Sequence, residues 1–194
     1  PSNINIMKIA VIGFGAAAMG FIEQVKNTDH EIHVYEKSKD IYSTSISGIR
    51  ADGKLFISKD MGGDMEINTG LQRKLVDFWI NKTNTQNIER GYSFNNSSWH
   101  KHFYERGFQP VSSEFFHIGT DQLKEVLYNI FEDFQSHKNI HFHFNSTVKD
   151  VQVLDNQVVL NNSEDKPFDR AVVSVGRSGH KLVNRMISKY PDLV

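Results

Sequence analysis

Two groups of residues in this 194-residue sequence have the types and spacing to do chemistry. The first is the turn Gly13-Phe14-Gly15-Ala16-Ala17-Ala18, which directly follows the apolar, β-branched run 8–12. A glycine in the first place lets the chain turn sharply out of a strand. One in the third place lets the backbone approach a ligand, and a small sixth residue lets the next helix lie close to the strand. The free N–H groups at that helix start carry partial positive charge, so the ligand such a turn suits is a pyrophosphate. Glu36 ends the alternating stretch around Ile32 and Val34, about 20 residues past the turn, with Lys37 beside it. Its carboxylate can accept hydrogen bonds from two ribose hydroxyls and would repel a 2′-phosphate, which argues against NADP here. The pattern therefore predicts a dinucleotide site on Gly13, Phe14, Gly15, Ala16, Ala17, Ala18, Glu36 and Lys37. A tight turn that binds nothing would not account for Glu36.

The second group is histidine, of which there are nine. His141 and His143 share one face of a strand, and His100 and His102 have the same spacing. Such spacing can bring metal ligands together, but no carboxylate pattern completes either pair. A polar strand face explains both pairs, and no metal is expected.

The elements that must position these residues follow from pattern. Residues 8–12 read as a buried parallel strand, 16–26 as a helix with Met19, Ile22 and Val25 on one side, and 32–36 as a second strand, together a βαβ unit. Asp52-Gly53 between Ile49 and Leu55 signals a hairpin turn, and Met61-Gly62-Gly63-Asp64 another turn. Leu71, Leu75, Phe78 and Trp79 mark a helix over 70–82, and residues 83–116 show no clear period. Thr120 can cap a helix whose stripe is Leu123, Val126, Leu127, Ile130, Phe131 and Phe134. A strand at 140–144 follows, then a hairpin of 148–153 and 158–160 around Asp155-Asn156. A last strand at 171–175 runs into Gly176, before a helix carrying Leu182, Val183, Met186 and Ile187.

Composition excludes several classes. Hydrophobic residues at 39% and charged residues at 23% describe an ordinary globular protein. A net charge of −1 gives no reason to expect nucleic acid or a membrane surface as partner. With no cysteine, disulfide scaffolds, thiolate metal sites and thiol redox pairs are excluded, so redox chemistry needs a bound cofactor. No stretch approaches the roughly 20 apolar residues of a membrane span, and residues 1–5 lack signal-peptide features. The cytoplasm is the expected compartment. There is no Gly-x-Ser-x-Gly elbow and no Gly-Lys-Ser/Thr phosphate loop, so hydrolase and nucleotidase readings lack support.

The fingerprint alone does not choose between FAD and NAD. A plain NAD-binding domain supplies its third parallel strand soon after the second, whereas here it waits until Ile140. A βαβ unit, a long insertion, a third strand and an antiparallel meander resemble the FAD domain of the glutathione-reductase type. The segments Ser47-Gly48-Ile49-Arg50-Ala51-Asp52-Gly53-Lys54-Leu55, Met61-Gly62-Gly63-Asp64, His117-Ile118-Gly119-Thr120-Asp121 and Val175-Gly176-Arg177-Ser178-Gly179 come in the same order as in one family. Together they resemble the predicted FAD-dependent dehydrogenases of the two-dinucleotide-binding flavoprotein superfamily, across nearly the whole chain.

That resemblance implies an α/β fold, Rossmann-like, with a parallel sheet, a β-meander and an inserted loop and helix segment. Residues 6–45 and 117–194 would form the FAD-binding domain, and 46–116 a cap or substrate region. It places the region of Gly48 and Arg50 by the flavin-side phosphates, the backbone near Val148 against adenine, and Gly176 at the cofactor. The implied activity is an FAD-dependent oxidoreductase with a small-molecule substrate and NAD(P)H as a candidate electron donor. An NAD-dependent dehydrogenase and a non-catalytic dinucleotide-binding module are the alternatives. Arg50 and Lys54 either meet phosphate or a reduced flavin, or are solvated charges beside a hairpin, and Arg177 is equally divided. Trp99, Phe103, Tyr104, Phe108, Phe115 and Phe116 either line a substrate pocket or, the favoured reading, pack as a core.

The chain departs from the family in two places. Ala16 stands where such flavoproteins often carry proline, which keeps the backbone N–H. The relatives are considerably longer, and their late Gly-Asp motif, which holds the ribityl chain, has no counterpart after Gly176. The chain is therefore expected to be an N-terminal portion with a complete site for the ADP half of FAD. No catalytic acid or base can be named.

Overall fold

The computed structural model describes residues 5–42, 53–57, 68–84, 88–92, 97–108, 114–161 and 167–193. In chain order the elements are β1 (Lys8–Ile12), α1 (Ala16–Val25), β2 (Glu31–Tyr35), β3 (Lys54–Ile57), α2 (Thr69–Ile80), β4 (Glu89–Tyr92), α3 (Ser97–Tyr104) and β5 (Glu114–His117). There follow α4 (Thr120–Gln135), β6 (Ile140–His143), β7 (Val151–Leu154), β8 (Gln157–Leu160), β9 (Arg170–Val173) and α5 (His180–Lys189). Two compact units result, residues 1–48 with 130–194, and residues 49–129.

The first unit is built on a parallel sheet in the order β6-β2-β1-β9. β6 is thus the late third strand expected from the sequence, with Ile140 opposite Ile32. Alternation divides the side chains between two faces. Ile9, Val11, Ile32 and Val34 point one way, and all are buried, as are Met19 and Ile22 of α1. Ala10 and Ile12 point the other way, into a cluster with Val151, Val158, Leu160, Phe168 and Leu182. That second layer is the meander and α5. Its hairpin turns at Asp155 (φ 50°) and Asn156 (φ 64°), two consecutive left-handed positions, a conformation that Asn and Asp tolerate best after glycine. Val158 then bridges Phe168, which closes the meander.

Phe134 and Phe14 are each almost fully buried and meet edge to face at 6.4 Å, while Phe14 also meets Phe142 at 5.1 Å. Lys26, just past α1, bonds Asp133 at 2.8 Å and Glu23 at 2.9 Å. Burial works against its charge, but the hydrogen bonds to Asp133 and Glu23 outweigh it and hold the ammonium above its ordinary pKa. In α4, Leu123, Val126, Leu127, Ile130 and Phe134 are all buried, as their spacing predicts. Thr120 does not cap this helix. Leu123 N–H donates to the carbonyl of Gly119 at 3.2 Å, so the boundary falls one residue earlier.

The second unit contains an antiparallel sheet, β3-β5-β4, that periodicity does not reveal. Its strands are four residues long, too short for a repeat to show, and β4 carries Gly91 between charged and aromatic residues. On β5, Glu114 pairs with Arg90 of β4 and, at 3.4 Å, with Arg73 of α2. Asn68 caps α2 by accepting from Gly70 N–H at 2.7 Å. Gly53 has φ 71°, but the expected hairpin turn of Asp52-Gly53 between Ile49 and Leu55 lies largely outside the described residues, as does the turn at 61–64. The aromatic residues of α3 contradict the expectation of a core. Trp99, Phe103 and Tyr104 are exposed on the eight-residue helix, Phe108 is exposed beyond its end, and Phe115 and Phe116 are half-buried on β5. No helix among the described residues is long and apolar enough to cross a membrane.

Because Phe134 is filled in on all sides, Phe134→Ala should cost about 3–5 kcal/mol of stability. Urea unfolding of the variant beside the parent protein checks this.

Candidate functional site

The site starts where β1 stops. Gly13 has φ 90°, and its N–H donates to the carbonyl of Tyr35 at 2.8 Å. A Cβ there would lie 2.9 Å from the carbonyl oxygen of Ser174, so only glycine fits, on conformational and steric grounds alike. Ser174 holds the crossing from its own side, its N–H on Ile12 O at 2.9 Å and its hydroxyl on Gly13 O at 2.8 Å. Gly15 caps α1 and accepts from Met19 N–H at 3.0 Å. A Cβ on Gly15 would meet nothing closer than 3.9 Å. Nothing among the described residues demands glycine here, whereas a ligand lying on the turn would. Ala16 and Ala17 are exposed at the helix start, and Ala18 is fully buried against the sheet side, as the small sixth residue requires.

Glu36 follows β2 and is only 8% exposed. Its Oε2 accepts from Phe14 N–H at 2.9 Å and its Oε1 from Ser38 N–H at 2.9 Å. Its backbone is pinned as well, N–H to His143 O and O to Ser146 N–H, both at 2.9 Å. Each carboxylate oxygen can still accept another hydrogen bond. Glu36 borders a cavity of about 190 Å³ that Gly13, Tyr35 and Val148 also line. Among the described residues, neither the N–H nor the C=O of Val148 makes a hydrogen bond.

Lys37 lines the same cavity and donates to Ser178 Oγ at 2.8 Å. Lys149, Lys181 and Arg185 line it too, and Glu36 is the one acid among its described lining residues. Such a field favours a polyanion. The sequence reading missed these three cations, which lie on separate elements with no shared motif. Gly176 has φ 58° and caps the short helical turn Arg177–Gly179, whereas the cavity lining takes Val175, Ser178 and Gly179 but neither Gly176 nor Arg177. Gly48 and Arg50 lie outside the described residues.

The histidine pairs come apart. His100 and His102 are on α3, a helix rather than a strand, and His102 Nδ1 faces Arg106 at 3.1 Å. His141 and His143 do share a face of β6, and no carboxylate among the described residues joins the two, but His141 has one near it. Glu31 on the adjacent strand lies with its Oε1 4.0 Å from His141 Nε2. A scan of one strand cannot find a ligand supplied by its neighbour.

No protein-family model matches the sequence, and no curated protein matches it. Solved structures do. The fructosyl amine:oxygen oxidoreductase Amadoriase I from Aspergillus fumigatus aligns with TM-score 0.59 at 12% identity, over 94% of this chain and 52% of its own. NikD, an amino acid oxidase of nikkomycin biosynthesis, aligns with TM-score 0.55 at 12% identity, over 93% and 54%. Glycine oxidase from Bacillus cereus gives 0.53 at 12% identity, over 93% and 58%. CtdE, solved in complex with FAD, gives 0.51 at 14% identity, over 89% and 39%. The chain thus spans little more than half the length of the three oxidoreductases, or less in the case of CtdE. At such identities the likeness is one of fold: the parallel sheet with its glycine turn and meander is a Rossmann-like domain of the kind these oxidoreductases contain.

Proposed function

We propose that this chain holds the ADP half of FAD in an FAD-dependent oxidoreductase that acts on a small-molecule substrate. The observation that carries the reading is Glu36, a nearly buried carboxylate fixed by two backbone N–H groups beside the glycine turn, with spare acceptor capacity on a cavity. The residues fit the group. Gly15 leaves room that no contact among the described residues explains, at the point where a pyrophosphate would cross the start of α1. Glu36 would take the ribose hydroxyls and repel a 2′-phosphate. The free N–H and C=O of Val148 would meet the adenine edge, and Lys37, Lys149, Lys181 and Arg185 would offset the phosphate charge. Bound FAD supplies hydride transfer at its isoalloxazine ring, which no side chain of this cysteine-free protein can perform. NAD(P)H as the electron donor follows from the resemblance of the sequence to FAD-dependent dehydrogenases.

Purified protein should be yellow and should release FAD on denaturation. A colourless protein that binds NAD instead overturns the reading. Glu36→Ala should weaken FAD binding roughly tenfold or more, with Glu36→Gln intermediate because its amide oxygen replaces only one acceptor. Fluorescence titration gives the affinities, and unchanged values in both variants would remove Glu36 from the site. Gly13→Ala and Gly15→Ala should differ in kind. The first loses stability, because φ 90° and a 2.9 Å clash oppose a side chain. The second keeps its melting temperature but loses FAD affinity, and equal FAD affinity of Gly15→Ala and the parent would refute the pyrophosphate placement.

A further inference from the structure

The sheet face that carries the meander also carries four side chains able to ligate or support a metal ion. Parallel register sets His33 opposite His141 and Tyr35 opposite His143, and Glu31, two residues before His33, points the same way. Glu31 Oε1 lies 2.7 Å from His33 Nε2 and 4.0 Å from His141 Nε2. One ligand atom from each of the three lies within 4.8 Å of the others. A tetrahedral zinc with bonds of about 2.0–2.2 Å holds its ligand atoms roughly 3.3 Å apart. The observed separations bracket that value, and rotation of Glu31 and His141 can close the difference, since both side chains are nearly half exposed. That exposure is also a path of entry.

The surroundings suit ligation. His33 Nδ1 lies 2.9 Å from His143 Nε2, and the two rings stack at 5.2 Å. With a metal on His33 Nε2, its Nδ1–H would donate to His143, the outer hydrogen bond that orients a ligating imidazole. Burial holds His33 below its ordinary pKa despite the hydrogen bond to Glu31, and that same bond holds the Glu31 carboxyl below its own. The competing cation, Lys8, lies over the ring of Phe168 at 4.9 Å. We propose that Glu31, His33 and His141 form a binding site for a divalent transition-metal ion of the zinc type, with His143 as outer partner and the remaining position open to solvent. Two imidazoles and one carboxylate suit zinc, nickel or copper rather than magnesium or calcium. None of the three ligands lines the dinucleotide cavity, so the site is separate from it. It would tie the edge strand β6 to β2.

The test uses chelator-stripped protein without a histidine tag. Titration with Co2+ should give one saturable equivalent with the intense visible bands of tetrahedral cobalt, displaced by Zn2+. Zinc should also raise the melting temperature. His141→Ala, at a half-exposed position, should stay folded and lose both effects, and Glu31→Gln should weaken binding roughly tenfold or more. His100→Ala, on exposed α3, should bind as the parent does. Absence of saturable one-to-one binding, or binding that survives His141→Ala, overturns the proposal.

Discussion

The carboxylate of Glu36 is the knot of the first unit. It takes the N–H of Phe14 from the turn after β1 and the N–H of Ser38 from the turn after β2. Both turns must therefore keep one fixed separation. The Phe14 ring, wedged against Phe134 and Phe142, keeps its N–H on target. A polar group so nearly buried is tolerable only when satisfied, and the two backbone donors do that without help from any ligand. The site is accordingly built before anything binds, which spares a ligand the cost of ordering it.

The two glycines of the turn answer to different masters. Gly13 is required by the chain itself, where β1 passes Ser174 at a distance no side chain survives. Gly15 is required by nothing among the described residues. A fold that merely needed a tight turn would keep the first and could spend an alanine on the second. This contrast separates a glycine the turn requires from one it does not, at two positions that a sequence motif treats as equivalents.

How much was legible in the sequence follows from the range of each interaction. The β1–α1–β2 unit reads directly because its signals are local: an apolar run, a glycine turn, one helical stripe and a terminal acid. The meander turn reads because Asp155-Asn156 has few conformational options. The sheet of β3, β4 and β5 stays hidden because four-residue strands are stabilised by partners distant in the chain. The same reason hides the grouping of Lys149, Lys181 and Arg185, and of Glu31 with His141. Each depends on register or on which face turns inward, and Trp99 and Phe108 show that hydrophobicity alone does not say which face that is.

β6 pairs with β2 only after the chain has left the sheet and made the whole second unit. In the language of polymer loops, that pairing closes a very long excursion. Its entropy grows only logarithmically with length, by about 0.6 kcal/mol for each doubling. Lengthening the excursion thus adds little closure entropy at equilibrium, while the distant pairing slows the search for the native topology. By loop entropy alone the sheet is therefore indifferent to the length of that excursion, whereas it is closed to change around Gly13, Glu36 and the buried Phe134.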